Sequence, residues 1–233
     1  MPGRPTTRSL AEVAAAAHRV LSARGYRQTG ISDVSKELGL SHGALYTYVR
    51  TKEALVYLAL VHATRPQLLD ALALPVEFPA ESELVELARR WGDTSGSPRL
   101  AAALDAGPRG SVRAELAGII DELYSSIEDN RDLLALVEQV ARELPQVFQL
   151  WFVQRRRGHF DALGRYLDQR IRSGHLRAVP DVPTAVRFLV ETVAWFAWHR
   201  LGDPDSAMLT DDRCRETVRH LLLAAFLPTE GEP

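Results

Sequence analysis

The sequence contains a single cysteine, Cys214, among 233 residues, which excludes an internal disulfide and a paired-cysteine metal or redox site. A lone thiol is typical of a packing residue, and a reactive thiol is the alternative. No run approaches the roughly 18 consecutive apolar residues that a membrane span needs, so we expect no membrane partner. The first ten residues lack the apolar core of a secretory signal, and we therefore expect a cytoplasmic protein.

Motifs of catalytic sites are also missing. The sequence has no HExxH, no GxSxG, no Walker loop and no GxGxxG that follows a strand. Several histidines and many carboxylates lie beyond residue 55, but none stands at the spacing of a metal site or of a nucleophile and its base. We therefore predict no enzymatic activity, no metal and no cofactor.

Charge is unevenly distributed along the chain. Residues 1–52 carry eight Lys or Arg and three Asp or Glu, a net charge of +5, and the whole chain has a net charge of −2, so the remainder carries −7. A basic segment on an acidic remainder indicates that this segment faces a polyanion such as DNA. A basic surface that is merely solvated is the alternative.

Apolar residues recur at helical spacing along most of the chain, and no convincing alternating strand pattern is present. Ser9 and Glu12 form a capping box that predicts the start of the first helix, and Gly25 is expected to end it. Residues 92–98 read as a loop, and Asp181 caps a helix that is expected to extend to Leu201. The predicted fold is all-α, with a small N-terminal helix-turn-helix domain and a larger helical domain for ligand binding and dimerisation.

The segment Gly39–Leu55, GLSHGALYTYVRTKEAL, predicts a tight turn between two short helices. Ser32 and Gly39 bound the first of them, Ser41 is the N-cap of the second, and Thr51 is expected to cap the helix that follows. Leu45 and Val49 are four residues apart and point inward. A helix that enters the major groove reads bases with its N-terminal residues, while nearby hydroxyls and lysines hold phosphates.

The residues that remain outside have the composition of a DNA-reading face. Gly43 and Ala44 are small enough to let the backbone approach DNA, and Tyr46 and Tyr48 can hydrogen-bond phosphate oxygens. Lys52 lies at the positive N-terminus of the next helix. A helix-turn-helix spacing also occurs in proteins that never touch DNA, and tyrosines can simply cover a core, so both alternatives stay open.

The stretch GISDVSKELGLSHGALYTYVRTKEALVYLAL, preceded by an amphipathic helix and GY, resembles the DNA-binding domain of the TetR family of bacterial transcriptional regulators. The resemblance covers about residues 8–60 and includes the glycine after the first helix, the turn ending in GLS, the G-x-L-Y element and K-E-A-L. It implies that Tyr46 and Lys52 clamp the DNA backbone and that His42, Ala44 and Thr47 face base edges. The full set of implied DNA contacts is Thr29, Ser41, His42, Gly43, Ala44, Tyr46, Thr47, Tyr48 and Lys52.

Two positions depart from the common pattern of the family. Ala44 stands where a threonine is frequent, and Thr47 stands where a larger aromatic residue is frequent, which leaves the operator sequence open.

The resemblance also implies a dimer through the last two helices and a small-molecule pocket between the middle ones. The predicted interface residues are Trp195, Trp198, His199, Leu221, Leu222 and Ala225. The predicted ligand-binding residues are Trp91, Tyr124, Glu138, Arg142, Phe148, Trp151 and Phe152. Aromatic and apolar residues of this kind also fill the core of their own subunit, and the sequence leaves that alternative open.

The sequence therefore predicts a DNA-binding domain at residues 1–55, with the helix-turn-helix at about 32–50, an effector-binding and dimerisation domain at 56–228, and a flexible tail at 229–233. The predicted function is a ligand-responsive transcriptional regulator, a repressor released from its operator by a small apolar or aromatic effector. An activator of the same fold and a helical interaction protein without DNA binding are the alternatives. The expected partners are double-stranded operator DNA, a small-molecule effector and a second copy of the chain.

Overall fold

The structure is a computed structural model that describes residues 8–94, 97–106 and 110–228, with side chains in these ranges except at 90–94, 106 and 152–154. The predicted tail at 229–233 lies outside the described residues. Within those ranges the fold is all-α, as predicted, and its β structure is limited to an isolated bridge between Val49 and Val76. The helices are α1 Leu10–Gln28, α2 Ile31–Leu38, α3 His42–Leu45, α4 Lys52–Thr64, α5 Glu81–Thr94, α6 Pro98–Ala106, α7 Val112–Asp129, α8 Arg131–Ala141, α9 Pro145–Phe148, α10 Arg157–Arg172, α11 Val182–Ala197 and α12 Asp211–Phe226.

Short helices of other types connect these elements. A 3₁₀ helix follows α4 at Pro66–Ala71, where the proline cannot continue the hydrogen bonding of the α-helix. A π-helix, Gln149–Arg156, joins α9 to α10. Two 3₁₀ turns, His199–Gly202 and Pro204–Ser206, lie between α11 and α12. The predicted extension of α11 to Leu201 is therefore wrong, because the α-helix stops at Ala197.

The N-terminal capping box of α1 is confirmed. The Ser9 hydroxyl accepts from the Glu12 amide at 3.2 Å, and the Glu12 carboxylate accepts from the Ser9 amide at 2.8 Å. Gly25 interrupts α1 instead of ending it, because its φ of 75° breaks the helix and one further turn follows to Gln28. A Cβ at Gly25 would lie 3.0 Å from the Gln139 side chain of α8, so a glycine also permits this close approach.

Side-chain caps fix several of the other helix starts. Thr51 accepts from the Ala54 amide at 3.2 Å, and Asp181 accepts from the Thr184 amide at 2.7 Å, as the sequence predicts. The start of α2 differs from the prediction at Ser32. Its N-cap is Gly30, whose amide donates to the Asp33 carboxylate at 2.7 Å. The predicted loop at 92–98 is also shorter, because α5 continues to Thr94.

The chain divides into two compact units, the first made of Met1–Thr94 with Asp132–Gln154 and the second of Ser95–Arg131 with Arg155–Pro233. These units are defined by packing, and the predicted functional boundary at residue 55 stays a prediction. The first unit has α1 packed against α4 and α2, with α8 and α9 contributing to the same core. Val13, Ala17, Leu21, Leu55 and Leu58 are among its fully buried residues.

The second unit has a separate apolar core built from α6, α7, α10, α11 and α12. An ion pair is buried inside it, where the guanidinium of Arg170 donates to both carboxylate oxygens of Glu115 at 2.8 and 3.1 Å and to the carbonyl of Ala103 at 2.8 Å. Arg170 is fully buried, so these partners offset the cost of removing its charge from water.

Among the described residues, no helix combines the length and the apolar character that crossing a membrane requires.

Candidate nucleic-acid interface

The turn between α2 and α3 is built from the residues that the sequence singles out. Gly39 adopts a left-handed conformation with φ of 66°, and its amide donates to the Lys36 carbonyl at 3.1 Å. The Leu40 amide then donates to the Ser35 carbonyl at 2.8 Å. Ser41 caps α3 by accepting from the Ala44 amide at 3.2 Å, so α3 starts abruptly after the turn.

Two fully buried side chains hold α3 and the residues after it to the first unit. Leu45 and Val49 are both inaccessible to solvent and pack in the core that contains Val34 and Leu38 of α2. Their predicted inward orientation is confirmed. The α-helix itself has four residues, His42–Leu45, and the chain continues as a turn to residue 48. Residues 42–49 together form the α3 segment.

The opposite side of this segment faces solvent. His42, Gly43, Tyr46 and Thr47 are exposed, while Ala44 is half-buried. The rings of His42 and Tyr46 meet edge to face with centroids 5.2 Å apart. The Thr47 hydroxyl donates its proton to the Ala44 carbonyl at 2.7 Å. Toward solvent this hydroxyl can therefore act only as a hydrogen-bond acceptor.

Tyr48 and Thr29 do not lie on this outer face, contrary to the predicted orientation. Tyr48 is 7% exposed, and its hydroxyl donates to the Arg8 carbonyl at 2.8 Å and accepts from the Arg8 amide at 3.0 Å. Thr29 is 1% exposed, and its hydroxyl donates to the Gly25 carbonyl at 2.8 Å. Both hydroxyls therefore satisfy main-chain groups of their own chain, at Gly25 within α1 and at Arg8 just before it. Sequence spacing could not distinguish them from exposed hydroxyls.

Lys52 is held at the N-terminus of α4 by an aromatic ring. Its Nζ lies 4.0 Å from the ring centroid of Tyr26, which is a cation–π contact. The Tyr26 hydroxyl donates a short hydrogen bond to the carboxylate of Glu53. Burial and this bond raise the pKa of Tyr26, and the same bond lowers the pKa of Glu53. The ammonium group of Lys52 is thereby held against the Tyr26 ring at the start of α4.

The arginines of the basic segment are paired at the surface with carboxylates. Arg19 contacts Glu37 at 3.2 Å, and Arg24 contacts Asp33 at 3.0 Å. Both arginines are more than half exposed, so these ion pairs contribute little to stability.

An unpredicted contact ties the end of the α3 segment to the connection before α5. The Val76 amide donates to the Tyr48 carbonyl at 2.7 Å, and the Arg50 amide donates to the Val76 carbonyl at 3.0 Å. Residues 72–80 carry no strand pattern, so nothing in the sequence indicates this pairing. This pairing depends on which part of the chain packs beside Val49, and the residues near Val49 in the sequence do not indicate that.

The predicted ligand-binding residues are divided between the two compact units. Tyr124 is buried in the core of the second unit, where its hydroxyl donates to the Phe196 carbonyl at 3.2 Å. Glu138, Arg142, Phe148 and Trp151 belong to the first unit. Trp151 packs in that core, Phe148 is 44% exposed, and Glu138 and Arg142 are exposed. The side chains of Trp91 and Phe152 lie outside the described part of the structure.

The predicted interface residues lie on α11, on α12 and in the turn after α11, all within the second unit. Trp195 is 39% exposed and Leu221 is 60% exposed, and His199 and Ala225 are exposed as well. Trp198 is half-buried and stacks on His199 with ring centroids 4.2 Å apart. Leu222 is 1% exposed, so it packs inside its own chain, contrary to its predicted orientation.

In the described ranges, no group of three or more His, Cys, Asp or Glu side chains is arranged to hold a metal ion. Cys214 is buried and free.

Comparison with known proteins gives a consistent result. Residues 13–57 match the family model described as bacterial regulatory proteins, tetR family. No curated protein matches the chain. Among solved structures, the ketosteroid transcriptional regulator KstR2 of Mycobacterium tuberculosis has a TM-score of 0.60 at 18% identity and covers 97% of this chain and 98% of its own.

Two other solved structures share the fold over nearly the whole chain. PfmR, a TetR-family transcriptional regulator from Thermus thermophilus, has a TM-score of 0.54 at 19% identity, covering 93% of this chain and 95% of its own. A tetR-family regulatory protein from Rhodococcus RHA1 has a TM-score of 0.54 at 16% identity, covering 96% and 100%. These identities establish a common fold. The TetR family of bacterial regulatory proteins is therefore the family whose model the N-terminal helix-turn-helix matches, and the whole chain shares its fold with solved structures of regulators described as tetR-family proteins.

Proposed function

We propose that this regulator is a repressor that binds its operator through the exposed face of α3 and is released by a small effector. The observation that carries the proposal is the division of the α3 segment into two faces. Leu45 and Val49 are fully buried. His42 and Gly43, directly after the Ser41 cap, and Tyr46 are exposed. N-terminal residues of such a helix are the ones that reach base edges in the major groove.

The contacts fall into two chemical groups. Tyr46 and Lys52 supply a hydroxyl and an ammonium group for phosphates, and the amides at the Ser41-capped start of α3 add main-chain donors. His42, Ala44 and Thr47 face base edges, where imidazole and hydroxyl groups can exchange hydrogen bonds and the alanine methyl group can contact thymine. Gly43 lets the backbone come close to the DNA.

We also propose that the active form is a homodimer that uses α11 and α12. Phe188, Trp195 and Leu221 are each between 39% and 60% exposed on these helices, an unusual exposure for large apolar side chains. A dimer is suited to reading two operator half-sites about 34–36 Å apart.

The effector is proposed to be a small apolar or aromatic molecule. Two proteins of the same fold are described as a ketosteroid regulator and as a fatty acid degradation regulator of Bacillus halodurans, with 18% and 14% identity to this chain. At these identities the likeness shows only a common fold. The proposed effector class is therefore based on the aromatic residues of this chain. An effector that prefers a different spacing of the two DNA-binding heads would shift the population away from the operator-bound state.

Affinity capture of genomic fragments with the purified full chain tests the proposal. We expect enrichment of specific promoter fragments, each binding two copies of the chain. Transcription from a captured promoter in a purified system should fall when the protein is added. A rise would indicate an activator, and the absence of any enriched fragment would contradict operator binding.

Replacing Lys52 with alanine is expected to remove about one phosphate contact from each copy. Because two copies bind each operator, two contacts are lost in total, and the magnitude of the slope of log K against log salt should fall by about 1.8, measured by fluorescence anisotropy on a captured fragment. Arg213→Ala is the matched control, because it removes one positive charge from an exposed residue of α12. Equal slopes for both variants would refute the phosphate contact.

A further inference from the structure

The connection between α4 and α5 forms a main-chain bridge to the end of the α3 segment. Val76 pairs with both sides of Val49, donating its amide to the Tyr48 carbonyl at 2.7 Å and accepting from the Arg50 amide at 3.0 Å. The Val76 side chain is 3% exposed and packs in the same core as Val49. The contact therefore combines two directional hydrogen bonds with apolar burial.

The direction of α3 needs such an external anchor. A helix of four residues has no stability of its own, because one turn fixes several dihedral angles for very few hydrogen bonds. The Gly39 turn and the Ser41 cap fix its beginning. At its end, the side chains of Leu45 and Val49 fix its depth in the core, and the Val76 main chain bonds the residues on either side of Val49.

We propose that the main chain of Val76 positions the α3 segment for base reading and connects it directly to α5. Four residues separate Val76 from Glu81, the first residue of α5, and Leu84 and Leu87 anchor that helix in the core of the first unit. A displacement of the start of α5 reaches Val49 along this short connection without passing through α4. The proposal rests on the proposed operator binding.

The side-chain ion pair in the same region does not carry this role. Arg50 and Glu77 approach to 3.9 Å, and their side chains are 62% and 77% exposed. An exposed pair at that distance contributes little. The positioning is assigned to the two main-chain hydrogen bonds.

The test compares variants that remove the Val76 amide with one that keeps it. Val76→Pro removes the donor, and replacing residue 76 with the corresponding α-hydroxy acid converts the amide to an ester with almost no change of shape. Val76→Ala keeps both hydrogen bonds and trims the buried side chain. All three are made in the full chain, and each is measured for unfolding in urea and for binding to a captured operator fragment and to a scrambled fragment of equal length.

We expect the two amide-deleting variants to lose about tenfold or more in the ratio of specific to non-specific affinity, which corresponds to the loss of one base-pair contact. Val76→Ala should be less stable and keep the wild-type ratio. In the wild type, the operator should also slow hydrogen exchange at the amides of Val76 and Arg50.

The remaining outcomes would contradict either the positioning role of Val76 or the proposed operator binding. A wild-type ratio in the ester variant would overturn the positioning role, and so would an equal fall of the ratio in Val76→Ala, because burial alone would then explain it. If the ester variant does not fold, unchanged exchange at Val76 in the operator-bound wild type overturns the proposal. Failure of the wild type to bind any fragment specifically would contradict the proposed function instead.

Discussion

Two tyrosines separated by one residue have different roles in the α3 segment. Tyr46 is 43% exposed and has its hydroxyl on the outer face, whereas Tyr48 is 7% exposed and bonds both main-chain groups of Arg8. The same side chain therefore serves DNA binding at one position, as we propose, and local stability at the other. The difference arises because a step of two residues along a helix or turn moves a side chain to another face.

Replacing each tyrosine with phenylalanine separates these roles. Tyr48→Phe removes the partner of the Arg8 amide and carbonyl and should lower the free energy of unfolding by about 1 kcal/mol. Tyr46→Phe should leave stability unchanged and weaken operator binding, because only an exposed hydroxyl is lost. Urea denaturation and anisotropy measure the two effects, and each variant is the control for the other. Equal stability losses would contradict this assignment.

At the level of elements, Gly39 and Gly43 of the helix-turn-helix differ in whether the fold requires a glycine at that position. Gly39 has φ of 66°, which an L-residue adopts only at a cost, and a Cβ there would meet no atom within 4 Å. The requirement at Gly39 is therefore conformational. Gly43 lies in α3 at a negative φ and also has open space around it, so nothing in the described part of the chain requires a glycine there.

Alanine substitutions distinguish the two cases. Gly39→Ala should lower the free energy of unfolding by about 1–2 kcal/mol, the cost of a left-handed conformation for a residue with a Cβ. Gly43→Ala should raise it by up to about 1 kcal/mol, the gain in helix propensity, and should weaken operator binding because the methyl group faces the DNA. Thermal or urea unfolding and anisotropy test both. A Gly43→Ala variant that binds the operator as well as the wild type would contradict close backbone approach.

Local signals predicted the elements that depend on neighbouring residues. Ser9, Ser41, Thr51 and Asp181 all cap helices as expected, because each cap is a hydrogen bond to an amide a few residues away. The start of α2 was predicted two residues late, because its cap is the Gly30 amide bonded by Asp33 and a glycine carries no side-chain capping signal. This error does not change the face that α2 presents to the core.

At the scale of the whole molecule, stability should depend on pH through a histidine pair in the first unit. His18 of α1 and His62 of α4 lie with ring centroids 5.8 Å apart, and each has a buried ring nitrogen without a hydrogen-bond partner in the described structure. Burial lowers the pKa of both. The charge of His62 lowers the pKa of His18 further, Arg19 acts in the same direction on both, and Asp132 opposes it at His18.

A lowered pKa in the folded state means that the unfolded chain binds protons more readily. The stabilisation is therefore complete above the ordinary histidine pKa of 6.5 and is lost as the pH falls below it. We expect the wild type to lose more stability between about pH 7.5 and 5.5 than His62→Gln does, measured by urea denaturation. His220→Gln, at an exposed position of α12, is the control and should behave as the wild type. A wild-type loss no larger than that of His62→Gln would contradict the effect.

The predicted ligand-binding residues show that the packing partner of an apolar side chain could not be predicted from the sequence. Tyr124 and Trp151 were grouped because both are aromatic and lie on middle helices, but they are buried in the cores of different units. Periodicity identifies an apolar face and does not say what covers it. Leu222 was misplaced for the same reason, since its neighbour Leu221 is exposed and Leu222 is buried, and both stand in one apolar run.

Local sequence was enough to predict an all-α fold, the caps at Ser9, Ser41, Thr51 and Asp181, the turn at Gly39 and the resemblance of the N-terminal domain to a known family, because these depend on residues close together in the chain. It was also enough for the two faces of α3, since Leu45 and Val49 follow helical spacing. Tertiary packing was needed to show that Tyr48 turns inward to Arg8 and that Val76 bonds the end of the α3 segment. Both contacts join residues far apart in the chain, and such pairings are set by the packing of the whole unit.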